Sequence, residues 1–373
     1  MVLERLRIQD FRNIALAVLE WDAGLNGVVG GNGQGKTNLL EAIGLLASGR
    51  SFRRAPSAAL RRHGQAGFYL HAEVTSFGLR HDLELTALGA HVSVRLNGKG
   101  ITTASAMGQV LAAIVLTPDA PALMRGAPEE RRSYLDWILF CHERSYAGVV
   151  RDYQVALRAR NHLLRTQCGD GRQFDAWEAR LAVLGAQITR QRQQMLHRVG
   201  ERLQPFLEAM ALDPNGYLWQ MRIQPGDLQE AGADAVASLA AGYRTLLARS
   251  RLPDQRSGST SVGPHRDDPA FVQNGRALAR FGSRGQQKRF LLALKLTEAD
   301  LLRERLGEAP VLLLDDPMTE LDPEGMARLL RLLAAGSSQI FLATCAAEQI
   351  QWPSARPVRC VAVEEGVFRA VDC

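Results

Sequence analysis

The stretch Gly30-Gly-Asn-Gly-Gln-Gly35-Lys36-Thr37 decides the fold. It matches the pattern GxxxxGK[ST], follows the short strand-like run Gly27-Val28-Val29 and opens a helix-like run, Asn38-Leu-Leu-Glu-Ala-Ile-Gly-Leu-Leu. That context matters because a phosphate cradle needs backbone N–H groups of the loop and of the helix N-terminus to point at one anion. Gly30, Gly31, Asn32, Gly33, Gln34 and Gly35 form that cradle. Lys36 is placed to reach the β- and γ-phosphates of ATP, and the Thr37 hydroxyl to hold Mg²⁺. The competing reading is a chance Gly-rich turn; strand, loop and helix in the right order tell against it.

A second segment, Pro310-Val-Leu-Leu-Leu-Asp315-Asp316, reads as a buried strand ending in two acids. Asp315 is then placed to join Thr37 in the Mg²⁺ shell, and Asp316 to orient or activate the attacking water. Many strands end in acids, so the segment gains its meaning from the Gly-rich loop upstream.

Phe281-Gly-Ser283-Arg284-Gly285-Gln286-Gln287-Lys288 heads a helix expected over Arg289 to Asp300. This run resembles the signature motif of the ABC ATPase superfamily, and Asp315-Asp-Pro-Met-Thr319-Glu-Leu-Asp322 resembles the D-loop that follows its Walker B strand. The opening, Leu6-Arg-Ile-Gln-Asp-Phe11-Arg12-Asn13, is similar to that of chromosome-maintenance and recombination ATPase heads. Further segments extend the likeness: Gly49-Arg-Ser-Phe-Arg53, Gly126-Ala-Pro-Glu-Glu-Arg-Arg132-Ser-Tyr-Leu-Asp136 and Gly263-Pro-His-Arg-Asp-Asp268. Together these segments, spread over nearly the whole chain, resemble the RecF family of bacterial replication and repair proteins.

The resemblance implies an α/β fold: an ABC-type P-loop ATPase head with a mixed sheet and an antiparallel β-subdomain, carrying an inserted α-helical arm lobe. It implies an ATP-dependent homodimer in which Ser283, Gly285 and Gln286 reach the nucleotide of the other subunit, with Arg12 near the nucleotide. It further implies binding at gaps and double-strand/single-strand junctions in DNA, partnership with RecR and RecO in loading RecA, and slow ATP turnover used as a switch. Some positions depart from the superfamily pattern. Arg284 and Pro317 replace commoner residues, and Asp316 stands where transporter heads carry glutamate. Thr344 stands where many heads carry a histidine that senses the γ-phosphate, and Thr117-Pro118-Asp119 stands where related heads carry a glutamine, whose role is left unassigned.

The periodicity around these motifs divides the chain. Residues 1–125 alternate as strands, many antiparallel, with one helix after Gly35 and a hairpin signal at Asn97-Gly98. They form the N-terminal part of the head. Residues 126–254 turn helical, with stripes at Tyr134, Leu135, Ile138 and Leu139 and from Phe174 to Val199. The last helix is expected to reach about Leu203, with Pro205 bending or ending it. Residues 255–373 return to strands at Val311–Leu314, Gln339–Ala343 and Val358–Val363 and complete the head. Val110–Leu116 reads as one strand, and the stretch from Asp254 as a loop between arm and head.

Composition bounds the rest. The 373 residues are 46% hydrophobic and 23% charged, enough for two or three domains at about 150 residues each. No apolar run approaches the ~18–20 residues of a membrane span, and the N-terminus lacks a signal peptide's apolar block. Cys141, Cys168, Cys345, Cys360 and Cys373 are odd in number and never paired as CxxC, which argues against a disulfide framework and suits a reducing cytoplasm. Only Lys36, Lys99, Lys288 and Lys295 are lysines among 45 cations, and the net charge is +6. Such arginine usage reflects coding bias, so cations inform only where acids vanish. That happens from Ala42 to Ala72, where Arg50, Arg53, Arg54, Arg61 and Arg62 meet no acid and Phe52 interleaves among them. These five are the candidate DNA contacts, made through phosphates rather than base edges.

His265 with Asp267 and Asp268 could suggest a metal, but residues so adjacent converge poorly on one ion and read better as a structured turn. Trp137, Trp177 and Trp219 read as core. Two other classes remain for comparison. A transporter's ATPase subunit would carry glutamate rather than Asp316 and no helical arm. A chromosome-tethering ATPase would need hundreds of coiled-coil residues.

Overall fold

The computed structural model describes residues 1–89, 91–101, 104–117, 121–166, 170–222, 235–317, 321–345 and 356–372. The chain forms two compact units, one of residues 1–120, 205–212 and 284–373, the other of 121–204 and 213–283. In the first unit β1 (Val2–Phe11) and β2 (Ile14–Glu20) form a hairpin, and β3 (Leu25–Val29) feeds the Gly-rich loop. Helix α1 (Lys36–Ser48) follows, then the single turn α2 (Ser57–Leu60) and strands β4 (Gly67–Ser76), β5 (Leu79–Leu88), β6 (His91–Leu96) and β7 (Lys99–Ile101). Strands β2-β1-β4-β5-β6-β7 make an antiparallel sheet in that order. Residues of β4 alternate between half-buried and buried along its length, as a strand with one face on the core requires. Asn97 and Gly98 both take positive φ, 50° and 76°, so the β6–β7 turn has the handedness that hairpin favours.

Helix α3 (Ala104–Val110) and strand β8 (Ala113–Leu116) divide the run expected as one strand. Only 113–116 gain a pairing partner, so Val110 ends a helix instead. In the second unit come α4 (Pro121–Arg125), α5 (Pro128–His142), α6 (Tyr146–Thr166), the long α7 (Gly171–Ala209), β9 (Tyr217–Arg222), α8 (Ala235–Ser257), β10 (Asp268–Gln273), β11 (Arg276–Ala277) and the turn α9 (Leu278–Phe281). Helix α7 carries Pro205 in its interior and continues to Ala209, six residues beyond the expected limit at Leu203, and the division between units falls at that proline.

The first unit resumes with α10 (Arg284–Leu306), β12 (Val311–Asp315), α11 (Pro323–Ala335), β13 (Ile340–Thr344), β14 (Val358–Glu364) and β15 (Val367–Val371). Its second sheet runs β15-β14-β3-β13-β12-β8, parallel except for the β14–β15 hairpin. Leu39, Leu40, Ile43 and Leu46 of α1 are fully buried in one cluster with Val311, Leu313 and Phe341, which seats the helix on this sheet.

The expected boundary at residue 254 moves. Residues 255–283 group with the helical unit, because β10 pairs antiparallel with β9, Phe271 opposite Trp219. The stretch from Asp254 is not a loop either: α8 runs through Pro253 to Ser257, and Gly258 turns the chain at φ 67°. Asp254 is held inside by Arg160, which is wholly buried. Arg160 donates to Asp254 and Thr260 through Nη1, to Glu178 through Nε and Nη2, and to the Leu247 carbonyl through Nη2. All five of its N–H donors are therefore used.

The Gly263–Asp268 turn is a second hub of this unit. Arg131 pairs with Asp268 at 2.8 Å, Arg132 donates to the Asp267 carbonyl, and Arg192 donates to the Pro264 carbonyl and to Asp136. His265 shares a 2.7 Å hydrogen bond with the Tyr153 hydroxyl, and burial pushes its pKa down to about 4. Among the described residues no cluster of three or more His, Cys, Asp or Glu side chains is arranged to hold a metal ion. Gly263 sits at φ 134°, and a Cβ there would lie 2.3 Å from the Tyr153 hydroxyl. Gly263→Ala is therefore expected to cost about 1–3 kcal/mol of stability, and an unchanged unfolding midpoint would contradict this packing.

Trp219 is core, stacked between Tyr134 and Phe271, and Trp177 is half-buried. Trp137, expected in the core, is 47% exposed. Cys141 and Cys345 are free thiols. Cys360 is disulfide-bonded, which the cysteine spacing did not suggest, while Cys168 and Cys373 lie outside the described residues. Among the described residues no helix is long and apolar enough to cross a membrane.

Candidate functional site

The Gly-rich loop leaves the sheet at the C-terminal end of β3, which has a parallel neighbour on each side. Open parallel sheets place ligand crevices at such strand ends. Gly30 passes so close to β14 that a Cβ would lie 2.3 Å from the Val363 carbonyl, and Gly35 turns into α1 at φ 127°. The loop is pinned from outside. Asn13 donates to the Gln34 carbonyl at 2.9 Å, as does the Gly366 N–H at 2.8 Å, and the Glu365 N–H donates to Gln34 Oε1 at 2.6 Å. The first turn of α1 thus presents its N–H groups to the loop's concave side.

Lys36, 6% exposed, donates through Nζ to the Gly30 and Gly31 carbonyls at 2.7 and 2.9 Å. The Thr37 hydroxyl is within hydrogen-bond distance of both carboxylate oxygens of Asp315, 2.8 and 3.0 Å, across 278 residues of sequence. Burial pushes the Asp315 carboxyl above its ordinary value and neighbouring Asp316 adds to this, against the Thr37 hydrogen bonds and the charges of Lys36 and Arg53. A buried carboxylate and a hydroxyl held this close offer oxygen donors that could hold a divalent cation. Asp316 follows at φ 46°, its N–H donating to the Ala343 carbonyl and its carboxylate within 3.8 Å of the Cys345 thiol. These residues line a cleft of about 530 Å³ with Asn32, Asn38, Phe52, Arg53 and Thr117, a volume within the range of small-molecule sites.

Other candidate residues fall in different places. Thr344 is fully buried at the end of β13 and does not line the cleft; its carbonyl accepts from the Gly30 N–H. Arg12, at φ 54°, turns toward α1 and meets Glu41 through Nε and Nη2, both 2.8 Å, instead of lining the cleft. It opens instead on a groove of about 610 Å³, lined also by Asn13, Asn38, Arg53, Arg61, Arg62 and His63.

Of the five arginines in the acid-free run, Arg53, Arg61 and Arg62 line this groove, whereas Arg50 and Arg54 are exposed outside it. Arg61 donates to the Ala58 and Ala66 carbonyls, and Arg62 pairs with Asp10 at 3.6 Å. Phe52 is half-buried against α1 at Gly44 rather than standing free among the arginines. Ser283, Arg284 and Gly285 are exposed at the start of α10, with Gln286 half-buried beside them, and none lines the cleft. Pro118, Asp119 and Thr319 lie outside the described residues.

The sequence assigns Arg53 to DNA, leaves the role of Thr117 open and gives no place to Glu41. Arg53 lines both the cleft and the groove. Glu41 had a signal, being the one charge in the apolar run Leu39–Leu46.

Strand β13 separates the loop strand from the acid-bearing strand while keeping both parallel to it. With a helical insertion between the two halves, this defines an ABC-type P-loop ATPase head with an inserted lobe. Known proteins narrow the class. The RecF/RecN/SMC N terminal domain family matches residues 2–368. DNA replication and repair protein RecF of Magnetococcus marinus is 48% identical over 381 residues, spanning 100% of this chain and 98% of the relative. RecF of Geotalea daltonii is 33% identical, spanning 98% and 99%. Solved structures of the recombination mediator protein RecF, with ATP and as RecF-ATPrS, superimpose with TM-scores of 0.81 and 0.82 at 28% and 27% identity. They span 99% and 100% of this chain, and 99% and 98% of those proteins. An Smc head from Pyrococcus furiosus, 16% identical with a TM-score of 0.56, shares the fold, spanning 99% of this chain and 95% of that head. The chain belongs to the RecF branch of the RecF/RecN/SMC family.

Proposed function

We propose that this chain is an ATP-hydrolysing, DNA-binding protein of recombinational repair and replication restart, dimerising on ATP. The observation that carries the nucleotide half is the Thr37–Asp315 pair, which joins the phosphate loop to the acid-bearing strand. Backbone N–H groups from Gly31 to Thr37 cradle the phosphates. Lys36 exchanges the Gly30 and Gly31 carbonyls for phosphate oxygens. Thr37 and Asp315 would hold Mg²⁺, which supplies charge neutralisation on the phosphates when bound.

Asp316 accepts a hydrogen bond from the attacking water and orients it. Ser283 and Gly285, exposed at the start of α10, and Gln286, half-buried beside them, serve the nucleotide of a second copy. The transporter reading is not favoured, since Asp316, the helical lobe and the family all stand against it. Thr344 and Arg12 act from behind the loop, Thr344 through its carbonyl on Gly30 and Arg12 through Glu41.

The DNA half rests on the basic groove and the acid-free run. Arg50, Arg53, Arg54, Arg61 and Arg62 take phosphates of double-stranded and single-stranded DNA at gap junctions, with Arg53 shared with the nucleotide. RecR and RecO are the partners and RecA the indirect beneficiary, in the bacterial cytoplasm at the nucleoid.

Phosphate contacts make affinity fall with salt by a log–log slope of about −0.9 for each phosphate engaged on duplex. Changing Arg54, Arg61 and Arg62 together to Gln is expected to reduce that slope and weaken DNA binding while sparing ATP binding. Changing Arg53 as well should weaken DNA binding further and lower ATP turnover. Fluorescence anisotropy on gapped duplex checks this, and an unchanged salt slope in the triple variant would refute the groove's role.

A further inference from the structure

Glu41 sits one turn beyond Thr37 on α1 and is wholly buried. A carboxylate so placed needs partners for its lone pairs, and all of those it has come from outside its helix. Oε2 and Oε1 accept the Arg12 Nε and Nη2 as a fork. Oε1 also accepts the Ser51 hydroxyl at 2.5 Å, and Oε2 lies 3.9 Å from Arg53 Nη1. Ser51 in turn accepts the Arg53 N–H at 3.1 Å and the Ala55 N–H at 3.2 Å. The turn that carries Arg53 is therefore built on Ser51, and Ser51 is anchored on Glu41. Arg53 is half exposed yet lines both the phosphate cleft and the basic groove, where Arg12 also lies.

We infer that Glu41 is a positioning residue for ATP hydrolysis. It sets the Arg53 guanidinium at the phosphate cleft by fixing Ser51, and by pairing with Arg12 it ties the same helix to the basic groove. The inference rests on reading the cleft as the ATP site. Glu41 touches no nucleotide itself, so its effect must pass through Arg53. A carboxylate that merely filled space would act regardless of what residue 53 is.

The test is steady-state ATP hydrolysis by the full chain without DNA, comparing Glu41→Gln, Ser51→Ala, Arg53→Ala and the Glu41→Gln/Arg53→Ala double variant. Glu41→Gln and Arg53→Ala are each expected to lower kcat about tenfold with KM within about twofold, and the double variant to fall no more than about twofold below Arg53→Ala. Ser51→Ala leaves the Arg12–Glu41 fork intact and should lower kcat in the same direction, which decides the matter if Glu41→Gln does not fold. Full multiplication of the two losses in the double variant, or an unchanged kcat in Ser51→Ala, would overturn the inference. ATP binding to Lys36→Ala, measured alongside, separates this failure from a misplaced ATP site. Undiminished binding there would mean that the site itself lies elsewhere.

Discussion

Asp316→Asn is expected to stop turnover while leaving ATP binding intact, so that two copies of the chain stay joined as long as ATP is present. The backbone at this position is fixed independently of the side chain, by the N–H donated to the Ala343 carbonyl and the φ of 46°. Asparagine enters that left-handed region as readily as aspartate. The substitution keeps shape and removes only the charge and the ability to accept a proton from water, a loss of about 10²–10⁴ in rate for a general base. Binding should not suffer in the same way, because the proposed phosphate contacts come from the loop, Lys36 and Thr37. Light scattering should show a dimer at saturating ATP, with phosphate release near background. A monomer under those conditions would contradict the arrangement in which each head completes the other's site.

The second large effect is expected at Lys36. Its Nζ is already desolvated and satisfied by two loop carbonyls, so the loop and the lysine are preorganised around one spot. Each hydrogen bond from a charged donor contributes about 1.5–3 kcal/mol, and Lys36→Ala should weaken ATP binding by about 10- to 100-fold. The loop itself stays tied by Asn13, Glu365 and Gly366, so the unfolding midpoint should change little. Calorimetric titration with ATP reads the effect directly, and wild-type affinity in the variant would remove Lys36 from the site.

The parts of the molecule legible in the sequence were those with a short-range cause. The loop, α1, the β6–β7 turn and the buried strands β12 and β13 each follow from local residues: glycines before a helix, Asn97-Gly98, and apolar runs flanked by acid or polar residues. What was misread depended on partners far away in the chain. Val110 looked like strand but only residues from Ala113 onward found β12 beside them. Asp254 looked like the start of a loop, yet it is the buried counter-charge of Arg160, ninety-four residues earlier. Strand β9 was hidden in a helical stretch because its identity comes from pairing with β10.

The site shows the same division. That Lys36, Thr37 and Asp315 meet in one cleft was legible because it is carried by spacing within two short motifs. Arg53 is assigned to DNA on charge density alone, and only the folded chain shows that it also lines the cleft, on a turn tied to Glu41 through Ser51. Arg12 is expected near the nucleotide, and its fork with Glu41 holds it in the groove that shares Asn38 and Arg53 with the cleft.

The central claim is that the nucleotide cleft and the basic groove serve one ATP-controlled DNA-binding function. Affinity for a gapped duplex, measured by anisotropy at fixed salt with ATP, with ADP and with no nucleotide, tests it most directly. The account predicts that ATP tightens binding by about tenfold or more, roughly the 1.4 kcal/mol of a modest coupling between sites, and that Lys36→Ala abolishes the gain. Equal affinity in all three conditions would contradict it.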